Sequence, residues 1–178
     1  MSYNLISGLW TGSQYRNPEN QFKRVLVIGH STYGTPPDDP HGIEAWIRDA
    51  ASAEDPTFNR WFYVAKKLRA LKVDRSKRES FFAQFAFNNF VSHILGEKDR
   101  DPTAAEYKEA ALKLPGVIAE ANPRAIFAFG YAHRKHSEDV IEKSRIPYVF
   151  SVHPVQDKLK QFPPDWHQFV QMLNDLGD

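Results

Sequence analysis

A chain of 178 residues with 23 Lys+Arg, 22 Asp+Glu and no cysteine has the length of one domain. The lack of cysteine excludes disulfides, cysteine-held zinc and a thiol nucleophile. Hydrophobic residues make up 42% and charged residues 25%, a globular composition, and the net charge of +1 is not that of a protein coating nucleic acid.

In chain order, residues 1–22 are polar and aromatic without clear period and are expected to form an arm or short helix packed on the domain. Met1 to Trp10 lack a basic start followed by an apolar run, and no stretch reaches the ~18 apolar residues of a membrane span. The expectation is a cytoplasmic monomer with no membrane partner. Arg24-Val-Leu-Val-Ile-Gly29 is a continuous β-branched and leucine run stopped by glycine, which predicts a buried central parallel strand. A Pro/Asp-rich loop over 35–40 follows, then helices near 42–52 and 57–72. The aromatic-rich stretch 80–91 leads into a second strand that ends near Asn88-Asn89.

Thr103 precedes Glu106 by three, the spacing of a capping box, and opens a helix that Pro115-Gly116 should break or kink after Leu114. A short helical stretch to Glu120 and a third strand, Arg124 to Gly130, come next. Residues 131–144 read as a helix, Ile146 to Val152 as a fourth strand, and Pro164 to Leu176 as a closing amphipathic helix carrying Trp166, Phe169, Val170 and Leu173. Strands separated by helices predict right-handed crossovers and an α/β fold, a parallel sheet with helices on both faces. The first strand should be central, giving four strands in the order 2-1-3-4 in one domain spanning 1–178.

Ligands of such sheets bind beyond the carboxyl ends of the strands. Those ends carry Gly29-His-Ser-Thr-Tyr-Gly34, Asn88-Asn89, Gly130-Tyr131 and His153-Pro154. Each has a structural alternative: glycines for turns, Tyr33 for packing, either asparagine as a turn cap, His30 as a satisfied core histidine. The run 75–78 reads as a solvated basic surface. His133 and His136, three apart, lack a third metal ligand.

The four motifs, each at a strand end and in this order, resemble the uracil-DNA glycosylase superfamily over roughly residues 24–176. The closest part is Ile126 to Lys135 followed by Tyr148-Val-Phe-Ser-Val-His-Pro154. The resemblance implies a three-layer α/β/α fold that takes no cofactor and no metal, and partners of single-stranded DNA, a flipped base, or a free nucleobase or nucleotide. It implies that Gly29, Tyr33 and Asn88 or Asn89 hold the base. His153 would donate to a base carbonyl, and Gly130, Tyr131, Pro154, Lys158 and Lys160 would contact nucleic acid. In the family's first motif an acid stands where this chain has Ser31, and its usual Ser-Pro-Leu loop is replaced by Val155 to Leu159.

Cleaving a pyrimidine glycosidic bond requires donors aimed at the departing base anion, which His153 and a backbone N–H near His30 could supply. An Asn amide offers one donor and one acceptor to an imide edge. Ser31 or His30 could position water, though neither carries a carboxylate's charge. Three functions follow: a base-excision N-glycosylase of DNA repair, a glycosylase fold that binds a base or nucleic acid without hydrolysis, and a serine hydrolase pairing Ser31 with His153.

Overall fold

Val25, Leu26, Val27 and Ile28 alternate between two separate hydrophobic clusters, one on each face of a sheet. They belong to β2 (Val25–Tyr33) of a computed structural model that describes residues 8–20, 22–33, 82–95, 101–151 and 164–176. The loop expected over 35–40 and the helices near 42–52 and 57–72 lie outside these residues.

The described elements are β1 (Trp10–Thr11), β2, β3 (Ala86–Leu95), α1 (Ala104–Ala121), β4 (Ala125–Phe129), a 3-10 turn (Tyr131–His133), α2 (Arg134–Lys143), β5 (Tyr148–Ser151) and α3 (Pro164–Asp175). They make a mixed α/β fold around a mostly parallel sheet. The expected four strands in the order 2-1-3-4 are corrected to five in the order β1-β3-β2-β4-β5. β2 lies between β3 and β4 and is parallel to both, and β4 is parallel to β5.

The added strand comes from the segment expected to be an arm. Trp10 pairs antiparallel with Phe87 and Thr11 with Ala86. Backbone bonds continue the attachment, from Gly12 N–H to Phe85 O (2.9 Å) and from Gln14 N–H to Ala83 O (2.8 Å). Asn20 secures it: its buried amide donates to Tyr15 O and Gln84 O, and its carbonyl accepts from Phe22 N–H. Two paired residues are too few to show an alternation, so this strand has no legible period.

β2 and β3 also run further than expected, with pairing from Leu26↔Ala86 through Gly29↔Asn89 to Tyr33↔Leu95 and a register shift after Ser31. Ladder bonds need backbone, not apolar side chains, so polar residues continue both strands. The helix expected to break at Pro115 runs unbroken to Ala121. Pro115 is exposed, while Leu114, Val117 and Ile118 around it are buried; packing on both sides outweighs the lost bond. Thr103 and Glu106 form the full capping box, and Asn122 ends the helix at φ 47°. The helix expected over 131–144 starts instead as the 3-10 turn before α2.

Helices cover both faces. Tyr107, Leu114 and Ile118 of α1 and Ile141 of α2 pack with Leu26, Ile28, Ile126 and Phe150. Phe169 and Leu173 of α3 pack with Val25, Val27, Phe127, Phe129 and Val149 on the other face. Two substitutions grade these contributions. Phe127→Ala, at a fully buried ring, is expected to cost about 3–5 kcal/mol, and Thr103→Ala about 1 kcal/mol, both measured by urea denaturation.

Candidate functional site

β2 turns polar at its carboxyl end, where the period of 2 sends Gly29 and Ser31 to the α3 face and His30 to the α1/α2 face. The structure thus brings the first-motif residues to one edge but divides them between two sides of the sheet.

On the α3 face, Gly29 pairs with Asn89. A Cβ at Gly29 would lie 2.3 Å from Asn89 Oδ1 and 3.2 Å from Phe87 Cζ. The missing side chain therefore seats the Asn89 amide against the strand. Asn88 points to the opposite face, where a Cβ on Gly8 would lie 3.5 Å from its Nδ2. Both asparagines are buried, but only Asn89 shares a face with Gly29 and Ser31. Ile28 pairs with Ala128, so Phe129 is level with Gly29, and Phe129 pairs with Ser151. One row across the sheet reads Asn89–Gly29–Phe129–Ser151. The Oγ atoms of Ser31 and Ser151 are both buried without a hydrogen-bond partner.

The α1/α2 face is filled by rings. His30 Nε2 lies 2.8 Å from the Tyr107 hydroxyl, and the His30 ring is nearly parallel to those of Tyr107 and His133, each 5.9 Å away. Tyr107 also stacks on His136 at 4.3 Å, and Phe90 on His133 at 5.2 Å. His133 is fully buried, with Nε2 2.9 Å from Phe129 O and Nδ1 2.9 Å from Ser137 Oγ. These bonds occupy both ring nitrogens, so His133 serves the fold. No group of three metal-ligating side chains occurs among the described residues.

Gly130 leaves β4 at φ 87°, a conformation that favours glycine, and its N–H donates to Ser151 O at 2.8 Å. Tyr131 follows with 44% of its surface exposed. The Arg134 guanidinium stands 6.0 Å from the Tyr131 ring and 5.3 Å from that of Phe150, and it is paired with Glu138. His153, Pro154, Lys158 and Lys160 lie outside the described residues, as does the side chain of Tyr33, whose backbone ends β2.

Two of these residues left signals that the motif pattern did not use. Tyr107 is a lone tyrosine on the otherwise aliphatic stripe of α1, and Ser151 is a small polar residue that ends the buried run Val149-Phe150 of β5. A groove of about 740 Å³ lies elsewhere, lined by Arg145, Tyr148, Met172 and Leu176 among others. It sits beside the start of β5, the opposite end of the sheet from where parallel strands present ligands.

The chain matches no protein-family model and no curated protein.

Burial holds the His30 imidazole below its usual range, with the Asp101 carboxylate acting in the opposite sense. The native state then takes up this proton less readily than the unfolded chain, so stability is lost as pH falls from about 6.5 towards the native value. Wild type should lose more stability between pH 7 and pH 5 than His30→Gln, by urea denaturation at each pH; equal losses would exclude the effect. Gly29→Ala should displace the Asn89 amide and cost about 1–3 kcal/mol, whereas an unchanged melting temperature would show that the amide moves freely.

Proposed function

We propose that the chain is a uracil-DNA-glycosylase-like protein with a three-layer α/β/α architecture, acting in the cytoplasm on uracil or another altered base in DNA. The observation that carries this reading is the Asn89 amide seated on Gly29 at the carboxyl edge of a parallel sheet. That edge is where such folds take ligands, and an amide there matches the donor and acceptor of an imide edge. Tyr33 would flank the base and His153 would donate to its carbonyl. Gly130, exposed Tyr131, Pro154, Lys158 and Lys160 would meet the nucleic acid.

Catalysis on this reading rests on stabilising the departing base anion. A serine at position 31 cannot supply the electrostatic help of a carboxylate, so the cationic sugar must be captured by water that is only positioned. The second reading, a fold that binds a base without hydrolysing it, is favoured by the same serine. The serine-hydrolase reading is disfavoured. A nucleophile elbow places its serine on a sharp turn between strand and helix, whereas Ser31 is paired within β2.

The test is base release from single-stranded oligonucleotides containing uracil, hypoxanthine or xanthine, read by alkaline strand cleavage. His153→Ala should reduce the rate roughly a hundred- to thousandfold, the usual effect of losing one preorganised donor. Ser31→Ala should cost less, and Ser31→Asp should raise the rate. No release by wild type, with a base or DNA still bound, replaces the enzyme with the binding module. A larger loss in Ser31→Ala than in His153→Ala reverses the roles.

A further inference from the structure

The groove of about 740 Å³ beside β5 has two walls of different kinds. One is formed by residues 145–149, which lead into the strand. The other is formed by Gln168, Gln171, Met172, Asp175 and Leu176. Their i, i+3, i+4, i+7, i+8 spacing marks one flank of α3 and the turn that ends it. Both walls are fixed. Phe169 and Leu173 of α3 pack with Val149 in the core, and the Arg124 guanidinium donates to Leu176 O. The volume is that of a ligand cleft.

The strand wall has backbone groups to offer. β5 ends the sheet and pairs with β4 alone among the described strands. Pro147 O accepts from Ile126 N–H at 2.9 Å, and Ser151 O accepts from Gly130 N–H at 2.8 Å. Alternation along the strand then turns the backbone N–H and C=O of Tyr148 away from β4, and neither has a partner among the described residues. An open strand edge is a template for a further strand. The charges select what that strand carries. Glu142 accepts from the Tyr148 hydroxyl at 2.8 Å and Asp175 from the Gln171 amide at 2.8 Å. Arg145 is exposed, and its guanidinium has no hydrogen bond or ion pair among the described residues. It stands just past α2 at φ 58°, with its N–H donating to Glu142 O at 3.0 Å, a place that glycine ordinarily fills. The turn therefore does not explain the arginine.

We propose that this groove takes an extended peptide with a free carboxyl terminus, which adds to β5 as an outer antiparallel strand. Antiparallel pairing is the slightly more stable kind, and a strand so added ends at the start of β5, beside Arg145. Its terminal carboxylate meets the guanidinium there, and an apolar last side chain rests against Met172 and Leu176. Glu142 and Asp175 select against acidic residues in the body of the peptide. The site is at the opposite end of the sheet from the proposed base site and is independent of that reading.

Selection on the full chain from random heptapeptides displayed with free carboxyl termini tests the proposal. Enriched sequences should end in a large aliphatic or aromatic residue and hold few Asp or Glu. The most enriched peptide, synthesised as acid and as amide, is then titrated by fluorescence anisotropy. The amide should bind roughly ten- to hundredfold more weakly, the effect of losing a charge-assisted hydrogen bond. Arg145→Gly should weaken the acid by a similar factor and leave the amide unchanged. It should not lower the melting temperature, because glycine suits φ 58°. Arg145→Lys should keep part of the acid's affinity. No enrichment over a control surface overturns the proposal. So does equal binding of acid and amide by wild type, a comparison that needs no variant, or an Arg145→Gly chain that binds the acid as wild type does.

Discussion

The structure depends on burying β2 on both faces while pairing it on both edges. Such a strand has no solvent side, so its residues must be apolar for as long as helices cover it. Val25 to Ile28 meet that demand with two side chains to each face. Beyond them the same ladder continues through Gly29, His30 and Ser31. The polar residues are thus held by bonds as rigid as those of the core, and rigid placement is what a binding edge requires.

That continuity divides the edge into two unlike halves. On the α1/α2 side His30 is one ring among several, bonded to Tyr107 and stacked beside His133. His133 is in turn tied to the end of β4 and to Ser137 of α2. This half joins β2, α1 and α2, and a histidine so enclosed stays neutral near pH 7. On the α3 side Gly29 removes a side chain, Asn89 fills the space, and two hydroxyls are unpartnered. The first half is satisfied within the protein. In the second, the two serine hydroxyls are buried without a hydrogen-bond partner.

The fold class was legible in the sequence because β2 and β4 are short apolar runs set apart by helices with clear caps and stripes. The strand number was not, since Trp10–Thr11 has too few residues to show a period and is defined by what it pairs with. Pro115 misled for a related reason: a local rule predicts a break, but the buried residues on either side decide. At the edge, motif order gave Gly29, Ser31 and the asparagine pair. It gave neither the face of each residue nor which asparagine sits on Gly29, because both depend on register. Tyr107 reaches His30 across 77 positions of sequence, a separation no spacing rule spans.

On the proposed glycosylase-like reading, Ser31 stands where the family carries an acid, and its setting bears on that difference. A carboxylate at position 31 would be a buried charge, costly unless paired, and no cation among the described residues is bonded to that position. A hydroxyl costs far less to bury and can both donate and accept. It therefore suits recognition of a neutral heterocycle better than activation of water. On the proposed glycosylase-like reading, the lack of a charge at this point lowers the driving force for attack on the sugar. The site retains discrimination, since each hydrogen bond a ligand fails to make leaves a buried group unmet. On the same proposed reading, cleavage would depend on stabilising the leaving base, the role proposed for His153.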